Sequence, residues 1–242
     1  MSISERTALS QRLGSFNIGD YLEDAGIPWE LHRGDLHIDG SLDNRHALVV
    51  DGNLTINGDY DDYTSGIGML VVLGELRVDN LMSWGSVYVD SDLQARGLVI
   101  AEYNDFTFEV KGKVNARGLV IHDKSSSYEN GQLGFVYDDM AGTDAEQAAL
   151  AVRQLVPELY DVSEFAEDNP LGSPNYEQAV ARMRAGQPLF RQQPATASLI
   201  QDLSAALDAS GTGKVALIGR DPLLDRVLAA HAALEEPLRA RL

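Results

Sequence analysis

Through the middle of the chain, apolar residues fall at every second position in short runs, and a Gly or Ser interrupts each run. Between residues 34 and 123 one phrase occurs five times: a Gly or Ser, a polar residue, an aliphatic, any residue, then an apolar one. It reads Gly34-Asp35-Leu36-His37-Ile38, Gly52-Asn53-Leu54-Thr55-Ile56, Gly74-Glu75-Leu76-Arg77-Val78, Ser91-Asp92-Leu93-Gln94-Ala95 and Gly112-Lys113-Val114-Asn115-Ala116. The starts step by 18, 22, 17 and 21 residues. Period-two alternation puts Leu48, Val50, Leu54 and Ile56 on one strand face, and likewise Leu70, Val72, Leu76 and Val78. A repeat near twenty residues filled with β-formers marks a solenoid. The Gly or Ser keeps the inward parity, as a corner needs where the backbone turns over the core.

A second corner is visible where Ala95-Arg96-Gly97-Leu98-Val99-Ile100 recurs as Ala116-Arg117-Gly118-Leu119-Val120-Ile121, 21 residues on. Regularly spaced short strands also suit a sandwich or barrel. Near-identical phrases at a constant spacing favour the solenoid, and the expectation is a parallel β-helix of about five coils over residues 31–140.

Outside the repeat the period changes. Residues 3–13 and 18–25 predict two short helices that stop at Gly14 and at Gly26, before Pro28. They form an N-terminal helical cap over residues 1–30, with Trp29 and Leu31 sealing the first coil. Lys124 to Gly131 reads as a polar loop, and Leu133 to Tyr137 as a last strand. Thr143-Asp144-Ala145-Glu146 is a capping box that opens a helix ending before Pro157. Further helices are expected after Ser173-Pro174 (stopping at Gly186), over residues 196–209, and from Asp221-Pro222. Residues 141–242 thus make an α-helical C-terminal region, and the fold class is mainly β with α.

Two long steps of the repeat carry insertions that resemble each other. Tyr60-Asp61-Asp62-Tyr63 and Tyr103-Asn104-Asp105-Phe106 lie 43 residues apart, and both read aromatic, Asp or Asn, Asp, aromatic. Two coils apart, they are expected on one side of the stack, where recurrent insertions often build a binding face. The bland reading makes them turns whose aromatics cover the core. Trp84 occupies another connection.

Net charge is −18. Residues 31–140 hold 18 acidic and 8 basic side chains, a net of −10. Such a surface attracts basic partners and repels phosphate backbones and anionic membranes, so no nucleic-acid or membrane partner is expected. The absence of cysteine removes disulfides and thiolate chemistry. The N-terminus has no signal-peptide pattern and no run is long enough to span a bilayer, so a cytoplasmic location is expected.

Catalytic chemistry is not apparent. His32, His37, His46, His122 and His231 show no metal-ligand spacing, and each is read as structural. Gly211-Thr212-Gly213-Lys214 lacks the upstream Gly of a phosphate loop, and Val215 stands where Ser or Thr would bind magnesium. Asp61-Asp62 and Asp138-Asp139 are adjacent pairs whose members point to opposite faces of a strand. No enzyme, metal or cofactor is expected.

The phrases Leu48-Val49-Val50-Asp51-Gly52-Asn53-Leu54-Thr55-Ile56-Asn57-Gly58 and Leu70 to Val78 resemble the coils of bactofilins, the polymer-forming bacterial cytoskeletal β-helices, over roughly residues 34–123. That resemblance implies a parallel β-helix able to assemble end to end. An acidic β-helix with a helical tail is also similar, more loosely, to the immunity proteins that accompany bacterial polymorphic toxins. It implies a monomer or small oligomer that occludes a basic toxin. The expected contact residues are Tyr60, Asp61, Asp62, Tyr63, Trp84, Tyr103, Asn104, Asp105 and Phe106. The alternative is a structural scaffold assembling through coil stacking.

Overall fold

Alternating apolar runs close into a three-sided coil that stacks on itself six times. A computed structural model of the chain describes residues 29–62, 68–142, 145–161 and 173–191, together with positions 8 and 11, which are helical. Apart from those two positions, the cap helices expected before residue 29, and those expected over 196–209 and from Asp221, lie outside the described residues.

The first coil is β1 (Trp29–Arg33), β2 (Leu36–Asp39) and β3 (Leu42–Asp43). The second is β4 (Ala47–Asp51), β5 (Leu54–Asn57) and β6 (Tyr60–Asp61), and the third is β7 (Met69–Val72), β8 (Leu76–Val78) and β9 (Leu81–Ser83). The fourth is β10 (Ser86–Val89), β11 (Leu93–Ala95) and β12 (Leu98–Glu102). In the fifth, β13 (Thr107–Ala116) runs round a corner to form two sides before β14 (Gly118–His122). In the sixth, β15 (Ser125–Leu133) does the same before β16 (Val136–Asp138). Every solenoid strand pairs in parallel with its counterpart one coil away.

Inward rows run straight down the stack. Leu36, Leu54, Leu76, Leu93 and Val114 share one register position, and Leu42, Tyr60, Leu81, Val99, Leu119 and Val136 share another. They belong to one core cluster, fully buried in its middle coils and partly buried at its ends. On the first side, Ala47, Val49, Met69, Val71 and Tyr88 make a second buried apolar face directed outward. The outward row of the second side, by contrast, is polar: His37, Thr55, Arg77, Gln94 and Asn115. Met82, Ile100, Val120 and Tyr137 point outward from the third side into a further apolar cluster.

That third side is covered by the helical segment that follows the coils. Helix α1 (Ala145–Gln154) is followed by a short 3-10 turn (Pro157–Leu159), strands β17 (Tyr160–Asp161) and β18 (Ser173–Pro174), and helix α2 (Tyr176–Arg184). Ala148, Ala151 and Leu155 pack with Tyr176, Ala179, Val180 and Met183 against the sheet. Asn175 caps α2 by accepting from the Gln178 N–H at 3.1 Å, and Gly186 follows its end with φ +62°. Arg117 lies 3.8 Å above the Phe190 ring, tying the last of this segment to the coils.

Two sequence expectations need correction. There are six coils, not about five: the five phrases fall in coils one to five, and β15 with β16 adds the sixth. Its register against β13 shifts between Val114 and Ala116, where a bulge breaks the spacing. The polar loop expected at Lys124 to Gly131 is largely the strand β15. Its partner β13 supplies backbone hydrogen bonds whatever the side chains, and strand composition is a weak guide at the end of a stack.

The copied hexapeptide marks a corner as expected, but its two copies differ in register. Ala95 and Ala116 occupy the same row, but Leu98 pairs with Gly118 and Val99 with Leu119. The corner before β14 is one residue shorter, so identical letters face opposite ways: Leu98 outward, Leu119 inward. A slip of one residue ordinarily exposes a strand's apolar face. Here it is tolerated because both faces of the third side are buried.

Candidate functional site

Two of the three corners close their own hydrogen bonds. Between the first and second sides, the polar letter of three of the five phrases accepts a backbone N–H from the next coil. Asp35 Oδ1 accepts from Asn53 N–H at 2.8 Å, and Asn53 Oδ1 from Glu75 N–H at 2.9 Å. Asp92 Oδ1 accepts from Lys113 N–H at 2.8 Å. The coils touch so closely here that a Cβ on Gly52 would stand 2.5 Å from the Gly34 carbonyl. Between the second and third sides the ladder is Ser41, Asp59 and Asn80, ending where Asn80 Oδ1 accepts from Leu98 N–H at 2.8 Å.

The third corner, leading from the third side to the next coil, is irregular. Its connections are residues 44–46, 62–68, 84–85, 103–106 and 123–124, so most of the variation in coil length collects there. Buried polar groups stitch it together. Asn44 Nδ2 donates to Tyr60 Oη at 3.0 Å and to the Met69 carbonyl at 3.1 Å. The Asp62 carboxylate accepts from Tyr60 Oη at 3.2 Å, Ser83 Oγ at 3.0 Å and the N–H groups of Trp84 at 2.6 Å and Gly85 at 3.3 Å.

Lys124 is fully buried and directs its ammonium at four backbone carbonyls. They are Gly85 at 2.6 Å, Glu102 at 2.7 Å, Trp84 at 3.1 Å and Ser83 at 3.4 Å. Burial lowers Lys124 to about 8, against the opposing pull of Asp62 and Glu102. Burial likewise raises the Asp62 carboxyl, although Lys124 and its hydrogen bonds favour the anion. Both shifts reflect desolvation of two buried groups of opposite charge.

The two insertions do sit at one corner, two coils apart, with Trp84 in the coil between. They do not form twin ridges. Tyr60 and Asp62 are completely buried and Asp61 is 6% exposed. Tyr60 occupies an inward row between Leu42 and Leu81, where strand parity sends it into the core. Asp61 points outward beneath α2, where the Arg184 guanidinium donates to it at 3.1 and 3.2 Å. Tyr63 lies outside the described residues. Phe106 is also buried, behind Tyr103 at 5.7 Å between ring centroids.

What reaches the surface from the expected set is Tyr103, Asn104 and Asp105, with Trp84 half-buried beside them. Tyr103 is 40% exposed and stacks on Trp84 with ring centroids 5.5 Å apart. Its φ is +92°, and Asp123, at the next coil's corner, has φ +46°. Among the described residues these are the non-glycine positions with positive φ, and both fall on the third corner. Such backbone costs about 1–3 kcal/mol and collects at functional sites.

A further row was not singled out from sequence. Trp84, Glu102, His122 and Asp139 follow one another at successive coils along the outer edge of the third side. Trp84 Nε1 donates to Glu102 Oε2 at 2.7 Å. His122 lies between two carboxylates, with Nδ1 3.6 Å from Glu102 and Nε2 3.6 Å from Asp139. Both distances exceed ordinary hydrogen-bond lengths, and Nδ1 has no hydrogen-bond partner. Glu102, then Asp139, hold the imidazole above its ordinary value despite burial. From α2 the Tyr176 hydroxyl, also buried without a partner, is pushed well above its usual range by burial and by Glu102 and Asp139. The signal that could have found this row is the coil period itself, since residues one coil apart are neighbours.

Fold and corner together define a parallel β-solenoid with a helical segment against one side and an acidic, aromatic corner. No family model matches the chain, and no solved structure matches it. Among curated proteins it is similar to the "Uncharacterized protein YdbD" of Escherichia coli (strain K12), at 30% identity over 205 residues. The alignment covers 80% of this chain and 26% of that protein, so the chain spans about a quarter of its relative's length. Among the described residues, no helix is long and apolar enough to cross a membrane.

Proposed function

We propose that this chain is a non-catalytic binding protein whose third corner engages a basic protein partner. In its most specific form it is a cytoplasmic immunity protein that blocks a bacterial toxin by covering its active surface. The observation that carries this reading is Tyr103, exposed, held at φ +92° and stacked on Trp84. Acidic and polar groups surround it at the corner, with Asn104, Asp105, Asp123 and Asp139 exposed. Aromatic anchors commonly carry most of an interface's energy, while rim charges act on association rate. A rigid stack adds affinity by needing little ordering on binding.

The test begins by capturing and identifying the partner from the native strain. Trp84→Ala with Tyr103→Ala should weaken that complex by about 2 kcal/mol or more. Asp105→Asn with Asp123→Asn should slow association and flatten its salt dependence. Unchanged affinity in a folded aromatic double variant would remove the corner from the interface.

One observation favours the scaffold reading as the alternative. Among the described residues, the strands of the first and sixth coils pair on one side only, and open strand edges are templates for stacking. Filaments of the intact protein in negative-stain micrographs would support that reading over the first.

A further inference from the structure

The row Trp84, Glu102, His122, Asp139 reaches the same corner as Tyr103 but is left unfinished. Glu102 uses one oxygen for Trp84, and its other oxygen faces His122 at 3.6 Å. Asp139 stands as far from the opposite ring nitrogen, although both its oxygens accept from Asp123 N–H at 3.0 Å. The Tyr176 hydroxyl, on a residue 6% exposed, faces the two carboxylates and closes no hydrogen bond. Glu102 and His122 side chains are each 18% exposed, so solvent reaches the row.

We propose that binding at the third corner is proton-linked, with a cationic side chain of the protein partner replacing the His122 proton as the countercharge to Glu102 and Asp139. This rests on the binding reading above and adds the chemistry of the partner's contact group, a guanidinium or ammonium. Every group that faces the imidazole bears on the exchange. Glu102 comes from β12, Asp139 from beyond β16, Asp123 from the adjoining corner and Tyr176 from α2. Lys124 stands behind Glu102, with its ammonium bound to that residue's carbonyl.

The carboxylates and the aromatic hydroxyl can all accept hydrogen bonds. The imidazolium supplies donors only at lengths too great to close them. A guanidinium brings several donors in a fixed fork and lies well against Trp and Tyr rings. Seating it beside a protonated His122 would set two cations together, so the proton leaves as the cation arrives. Tyr103 and Trp84 border the entrance, which places the exchange at the edge of the aromatic contact.

The test follows the His122 ring signals by NMR across a pH titration, with tri-arginine as the probe and tri-citrulline as its neutral counterpart. Saturating tri-arginine should lower the His122 midpoint by about half a unit or more, and tri-citrulline should leave it in place. In Glu102→Gln the tri-arginine shift should disappear while far-UV circular dichroism stays unchanged. A His122 midpoint indifferent to tri-arginine, or a shift that survives Glu102→Gln, overturns the inference.

With the captured partner, calorimetry in buffers of different ionisation enthalpy should show protons released on binding near neutral pH, and none released by His122→Gln. Release that persists in His122→Gln overturns the linkage, while the Trp84 and Tyr103 test can still uphold the corner. Conversely, a tri-arginine effect at His122 with a partner that ignores Trp84→Ala and Tyr103→Ala sinks the binding reading and assigns the row to a free guanidinium compound.

Discussion

The first two corners of the solenoid and the third solve the same problem in opposite ways. At the regular corners, glycine lets one coil lie on the next, and a short polar side chain takes the N–H below it. The device recurs in several coils, and its hydrogen bonds are closed within the stack. The third corner has connections of unequal length, so no single ladder can serve it. It relies on Asp62 and Lys124, two buried ions holding backbone from several coils. The irregular corner also carries the positive-φ residues Tyr103 and Asp123, the Trp84 stack and the incomplete His122 row. Periodicity builds the scaffold, and its interruption brings aromatic and acidic groups to the surface.

The largest perturbation should come from the interior that all corners share. Ile56 is 1% exposed in the row that includes Ile38 and Val78. Ile56→Asp would place an unpaired charge in that row and should abolish the cooperative thermal transition. A soluble, folded variant would remove the inward register.

Lys124→Met comes next and separates the corners. It leaves Asp62 buried without its countercharge, a loss of about 3–5 kcal/mol by denaturant unfolding. Adding Asp62→Asn should recover part of it, because the stranded charge is then gone. A loss no greater than at a surface lysine would show that the carbonyl cage is not needed.

Much of this contrast was legible in the chain, and the reason for what was not is physical. The five phrases gave the coil, its inward rows and the need for glycine at Gly52 and Gly74. The polar letter beside each glycine was visible but not its duty, since a ladder exists only between coils. The hexapeptide copy marked its corner, but its register depends on a corner one residue shorter, which pairing fixes and letters do not. Tyr60 and Asp62 looked like surface partners of Tyr103 and Asp105. Strand parity buries Tyr60, and Lys124, 62 residues further on, accounts for Asp62. The His122 row was hidden because its members are scattered over four coils and Tyr176 comes from a helix.

A smaller effect is expected at a regular corner. Asn80 accepts from Leu98 N–H and donates to Asp59, so Asn80→Ala should cost about 1–2 kcal/mol. The same thermal or denaturant melt that reads Lys124→Met reads this variant, and an equal loss at the two corners would erase the distinction.

The smallest is a pH effect at His122. Its folded value is raised, chiefly by Glu102, so its contribution to stability is complete below the unfolded value of 6.5 and is lost as pH rises through the higher folded value. The stability gap between the native protein and His122→Gln should therefore narrow from pH 6 towards pH 9. A gap that is flat across that range would show that the carboxylates do not hold the proton.

The most direct measurement compares two faces of one folded stack. The affinity of the captured partner is determined for Trp84→Ala with Tyr103→Ala at the third corner, and for His37→Ala with Arg77→Ala on the polar outer row of the second side. The account predicts a loss of roughly thirtyfold or more at the corner, equivalent to about 2 kcal/mol, and little change on the second side. Equal affinities for the corner variant and the native protein, or a loss confined to the second side, would contradict it.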